Sequence, residues 1–136
     1  KTFPETEKKH YDDLYNEIYS AANQEATTYN AQYGTNVTVD EMLYYMYGMT
    51  ADNIKYYHQN SLKNEAIMYA IFDAEKLSYT EEEYNAFLSE IAANNSSSTT
   101  TVTLEQVKEN YKTWQLEAMM INDVVMKFLA KAAVLK

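Results

Sequence analysis

Four times along this chain an apolar residue and a threonine stand, at fixed spacing, before an acceptor side chain and a second apolar residue. The stretches are Val37-Thr38-Val39-Asp40-Glu41-Met42, Met49-Thr50-Ala51-Asp52-Asn53-Ile54, Tyr79-Thr80-Glu81-Glu82-Glu83-Tyr84 and Val102-Thr103-Leu104-Glu105-Gln106-Val107. This is the capping box with its hydrophobic staple. The threonine hydroxyl accepts from the third helical N–H, the acceptor side chain reaches back, and the flanking apolar residues close over the first turn. Each cap is worth about 1 kcal/mol to the helix that it opens. Helices are therefore expected to start at Val39, Ala51, Glu81 and Leu104.

Two glycines, Gly34 and Gly48, and one proline, Pro4, are all that the 136 residues contain. A sheet protein needs many tight turns, and these are the residues that make them. The chain therefore reads as all-α, with about six helices. The first runs from about Glu5 to Tyr33, with Pro4 near its start and Gly34 as a left-handed stop. Its apolar stripe is Tyr11, Leu14, Tyr15, Ile18, Ala22, Ala26, Tyr29 and Tyr33. The second spans Val39 to Tyr47 and is closed by Gly48. The third extends from Ala51 to about Lys76, the fourth from Glu81 to about Ala93. A polar loop covers Asn94 to Thr101. The fifth begins at Leu104 and the sixth fills Trp114 to Val134.

The third helix is sparse at first, with Ile54, Tyr57 and Leu62 on a stripe and His58 facing solvent. It becomes dense from Ala66 to Ala74. The sixth is apolar on most sides from Ala118 to Leu135, and such a helix must be buried by several neighbours. The pattern predicts one helical domain with a projecting arm over about 1–65 and a compact core over about 66–136. Phe72, Phe87, Leu88, Ile91, Val124 and Phe128 are expected in that core.

Composition removes several classes of function. Net charge is −9, and all 11 cations are lysines. That argues against nucleic acid, where clustered Lys and Arg neutralise phosphates and Arg reads guanine. No apolar run approaches the ~20 residues of a membrane span. There is no cysteine. His10 and His58 are the only imidazoles, and His10 with Asp12 and Asp13 reads as solvated helix polarity. Glu81-Glu82-Glu83 is explained by the cap and the positive helix end. No nucleophile elbow, phosphate loop or Ca²⁺ loop is present. The chain is thus read as non-enzymatic, without cofactor or metal. It opens on Lys1 and is read as a piece of a longer polypeptide.

The order of these parts resembles the C-terminal, chaperone domain of bacterial trigger factor. The run Met42-Leu43-Tyr44-Tyr45-Met46-Tyr47-Gly48-Met49-Thr50 is similar to the family's short helix ending in Gly-Met-Thr before a long one. Leu62-Lys63-Asn64-Glu65-Ala66-Ile67-Met68-Tyr69-Ala70-Ile71 looks like its small and aliphatic stretch before an acidic cap, here Thr80-Glu81-Glu82-Glu83. Leu104 to Val107 and Val124 to Ala133 are similar to its closing helices. The match runs in order from about Tyr11 to Leu135. The polar Asn94–Thr101 loop and the absence of arginine depart from the family. The resemblance implies a bacterial protein, cytoplasmic, with an exported or surface-attached relative as the alternative. It implies unfolded or nascent polypeptides as partners, and leaves open a peptidyl-prolyl isomerase domain elsewhere in the full-length protein.

The residues themselves point the same way. Fourteen tyrosines are present, and Tyr carries a large apolar body with little entropy to lose. Methionine is flexible and polarizable, which suits promiscuous contact. Met42, Tyr44, Tyr45, Met46, Tyr47 and Met49 surround a helix too short to hide them all, and are the candidate contact surface. The plain alternatives are that they pack between the first and third helices, or that they pair with a second copy in a homodimeric scaffold.

Overall fold

The computed structural model describes residues 5–134. Six helices follow in order: α1 (Glu5–Tyr33), α2 (Val39–Tyr47), α3 (Ala51–Ala74), α4 (Glu81–Asn95), α5 (Leu104–Asn110) and α6 (Thr113–Val134), with no strand among the described residues. The chain is all-α, as the scarcity of turn residues requires. Pro4 and Leu135 lie outside the described residues.

All four expected helix starts fall on the residues named. Thr38, Thr80 and Thr103 close full capping boxes with Glu41, Glu83 and Gln106. Thr50 does the same with Asn53, whose Oδ1 accepts from Thr50 N and Oγ1 at 3.3 and 2.9 Å. The staples close too: Val37, Met42, Met49 and Ile54 share one cluster, Val102 and Val107 another, and the Tyr79 and Tyr84 rings stack at 6.1 Å. α6 starts at Thr113, one residue before the expected Trp114, where Gln115 Oε1 accepts from Lys112 N at 2.8 Å.

The end of α3 differs from expectation. Lys76 stands outside the helix with φ of 53°. Its N–H donates to Asp73 O at 3.2 Å, and the Leu77 N–H donates to Phe72 O at 2.9 Å. This is a Schellman stop with lysine where glycine is usual. A chain reading that looks for glycine to end a helix runs past it.

The chain forms two compact units, Lys1–Ala66 and Ile67–Lys136. The first holds a core of its own. Ala22, Ala26, Met42, Leu43 and Ile54 are buried together, with Tyr15, Ile18, Val37, Val39, Met49 and Ala51 packed against them. Alanines at positions 22 and 26 let α2 approach α1 closely, so a few modest side chains suffice. Beyond this knot α3 runs antiparallel to α1. Lys55 Nζ lies 5.0 Å over the Tyr15 ring, and His58 packs 5.2 Å from the Tyr11 ring. His58, expected to face solvent, is therefore turned inward, and Tyr57, expected on the stripe, is 57% exposed. The inward register on α3 is Ile54, His58 and Leu62, at a spacing of four.

In the second unit Leu88, Ile91, Ala92, Val107 and Leu116 form the core, flanked by Tyr84, Phe87, Val102, Leu104, Tyr111 and Met119. Of the residues expected to be buried together, Ile91 is buried, whereas Phe72, Val124 and Phe128 are half-buried. Val124 and Phe128 line an open groove of about 380 Å³ with Phe87 and Met120, flanked by Glu83, Glu90, Asp123, Lys127 and Lys131. The last turns of α6 leave Met126, Leu129 and Val134 exposed. α5 spans only seven residues, about two turns. A helix that is apolar on many sides is thus covered along only part of its length. The polar loop after α4 is stitched at its base: Ser96 Oγ donates to Ala92 O at 2.8 Å and accepts from Val102 N at 2.9 Å.

Candidate functional site: an aromatic surface on the first unit

The position of α2 is fixed by the corner that precedes it. Gly34, with φ of 65°, ends α1 by donating to Asn30 O at 2.9 Å. The Asn30 side chain then holds the loop from both of its ends. Its Oδ1 accepts from Val37 N at 2.7 Å and from Thr35 Oγ1 at 2.8 Å, and its Nδ2 donates to Val37 O at 2.9 Å. The far end of α2 is tied as well, since Gly48 in a left-handed conformation donates to Tyr44 O, and Asp40 Oδ1 accepts from Ala51 N at 3.2 Å. A nine-residue helix, marginal alone in water, is thereby set rigidly on α1.

This fixes which of its side chains are inward. Met42 is 4% exposed and Leu43 fully buried. Met42, named on sequence as a contact residue, is a core residue and is removed from the candidate surface. Its staple with Val37 and its place opposite Ala22 and Ala26 account for that. Met49 is half-buried, packed on the same core, and its side chain is committed in the same way. The remaining four are exposed: Tyr44 by 65%, Tyr45 by 86%, Met46 and Tyr47 at the margin. At 100° per residue Tyr45 points directly away from the Leu43 side, and Tyr44 flanks it. The short helix buries one side in its own unit and presents two tyrosine rings outward.

Other aromatic residues on this unit share that exposure. Tyr29 and Tyr33 at the end of α1 contact each other at 4.7 Å, and Tyr56 and Tyr57 on α3 meet edge to face at 5.9 Å. All four are exposed. Sequence reading assigned Tyr29, Tyr33 and Tyr57 to buried stripes. No Lys or Arg stands between Lys9 and Lys55, a stretch that carries Asp12, Asp13, Glu17, Glu25, Asp40, Glu41 and Asp52. The aromatic rings therefore sit in an acidic field.

Neither histidine takes part in this surface. Among the described residues no group of three or more His, Asp or Glu side chains is placed to hold a metal ion, and no helix is long and apolar enough to cross a membrane. The Glu41 carboxyl is held below the ordinary carboxylate range by the Thr38 backbone and hydroxyl, which is its capping role. The three glutamates at the start of α4 are exposed, and Glu83 accepts from Thr80 N at 2.7 Å. No protein-family model matches the chain, and no curated protein and no solved structure matches it.

Proposed function

We propose that this domain is a chaperone module that binds non-native polypeptide through the outward turn of α2, with Tyr44 and Tyr45 at its centre and Met46 and Tyr47 at its margin. The observation that supports this reading is the 86% exposure of Tyr45 beside Tyr44 on a helix whose other side is fixed in a core. Contiguous exposed apolar surface marks an interaction site. Tyrosine binds with little entropy to lose and offers a hydroxyl to any backbone that arrives. A surface of this kind accepts many sequences and is preorganised for none, so affinity should be micromolar or weaker. The clients on this reading are unfolded or nascent chains, as the resemblance to the trigger factor C-terminal domain implies. The chemistry needs no nucleotide, metal or cofactor.

The test is light scattering of a refolding client protein. The wild-type domain should suppress aggregation without accelerating prolyl isomerisation. The double variant Tyr44→Ser, Tyr45→Ser should remain folded by circular dichroism, because both rings are exposed and surface changes of this kind alter stability by about 0.5 kcal/mol or less. It should protect the client several-fold less well. Equal protection by the folded variant would refute this site. Absence of protection by the wild type, together with concentration-dependent dimerisation, would favour a scaffold that pairs with its own copy.

A further inference from the structure

At the other end of the first unit, α1 meets α3 through polar groups that the polypeptide-binding reading does not use. Glu7, on the first turn of α1, is 2% exposed. Tyr11 lies one turn further on the same face, and its hydroxyl donates to Glu65 Oε1 on α3. Glu65 Oε2 is buried and has no hydrogen-bond partner. His10 Nδ1 stands 3.3 Å from Glu7 Oε2. The His58 ring covers the other side of Tyr11. Lys8, the nearest lysine in sequence, is paired with Asp12 at the surface. Two carboxyl groups thus meet at one joint between helices, beside the Tyr11 hydroxyl, the His10 imidazole and Ser61, which also hydrogen-bonds Tyr11.

We propose that Glu65, set against Glu7 and Tyr11, is a proton-operated joint that holds the first half of α1 on α3 when Glu65 is protonated and loosens it when Glu65 ionises. The chemistry is that of a carboxylate oxygen enclosed without a donor. Protonated, the carboxyl is neutral and loses little by burial. Ionised, it is a charge out of water with a second carboxylate facing it, and one hydrogen bond does not offset that. Burial pushes the Glu65 carboxyl up from its ordinary value. The Tyr11 hydrogen bond opposes this, Glu7 adds to it, and His10 opposes it. Tyr11 responds in the same sense: burial and then Glu65 raise its hydroxyl far above the ordinary phenol range. A carboxyl raised in the folded state lends stability that is complete below its unfolded value, about 4.3 for Glu, and that disappears as pH rises through the folded value. The joint therefore tightens in acid and relaxes toward neutral pH. His58 also faces Tyr11 at this joint: burial lowers its imidazole, while a hydrogen bond involving Tyr11 and the charge of Asp12 oppose that. This inference is independent of the chaperone reading.

The experiment is a carbon-detected NMR titration of the glutamate carboxyls on the whole chain, with amide hydrogen exchange of residues 7–15 followed over about pH 4.5–8 and corrected for intrinsic exchange. Glu65 should titrate above the ordinary glutamate value, about 4.3. Protection of Tyr11 to Tyr15 should fall several-fold through that same titration. Glu65→Gln should make protection independent of pH, and Glu7→Gln should bring the Glu65 titration down and shrink the loss of protection. If Glu65→Gln does not fold, the Glu7→Gln arm carries the test alone. A Glu65 that titrates at the ordinary glutamate value, or a Glu7→Gln variant that leaves both readouts unmoved, would overturn the proposal.

Discussion

Lys76 holds a left-handed backbone at φ of 53°, a conformation that costs a residue with a Cβ about 1 kcal/mol and glycine almost nothing. Its carbonyl-satisfying hydrogen bonds depend on backbone alone, so Lys76→Gly should keep the stop and remove the strain. A gain of about 1 kcal/mol in urea unfolding is expected, and a loss would mean that the lysine side chain contributes a contact. Thr80→Ala should move stability the other way by about 1 kcal/mol, since it deletes the acceptor of the Glu83 N–H. Asn30 is the larger case. Its amide makes three hydrogen bonds across the α1–α2 corner, and Asn30→Ala leaves the Val37 amide without its partner. A cost of about 1–3 kcal/mol follows. Tyr45 should also become more mobile by NMR order parameter, because the loop that sets α2 has lost its brace.

At the scale of elements, what could be read from the chain and what could not divide along a physical line. Helix starts are decided by residues three and four apart, so Thr38, Thr50, Thr80 and Thr103 announced them without help from tertiary structure. Which side of a helix is buried is decided by what arrives from elsewhere. His58 and Tyr57 differ by one position, and the choice between them depended on the antiparallel approach of Tyr11 and Tyr15. The same holds for the candidate surface. That a short helix could not hide six large side chains was legible, and Tyr44 and Tyr45 are exposed; that Met42 and Met49 were the ones hidden required the Ala22–Ala26 face of α1. The core of the second unit makes a quantitative contrast. Leu88 is fully buried among α4, α5 and α6 residues, so Leu88→Ala should cost about 2–5 kcal/mol. Phe128, expected on sequence to be equally critical, lines an open groove. Water already reaches it, and Phe128→Ala should cost less than Leu88→Ala, about 2 kcal/mol or below. Equal costs in denaturant titrations would show that the groove is closed in solution.

At the scale of the whole molecule the dominant fact is charge. The chain carries −9 in 136 residues, and its cations stop at Lys9 and resume at Lys55. Self-repulsion in a folded chain of this kind opposes compaction. Exposed pairs such as Lys8–Asp12 and Lys9–Asp13 span single helical turns, and exposed pairs of that type contribute little. Screening should therefore remove more repulsion than attraction. The Debye length falls from about 30 Å at 0.01 M salt to about 8 Å at 0.15 M, which is shorter than the reach of α1, about 43 Å for 29 residues. The thermal midpoint at pH 7 should rise by a few degrees over that interval of salt. Glu25→Lys, an exposed change within the cation-free stretch, should stabilise the domain by a few tenths of a kcal/mol at low salt and have almost no effect at high salt. A midpoint that falls with salt, or a Glu25→Lys gain that survives screening, would show that local pairs rather than the summed field control stability.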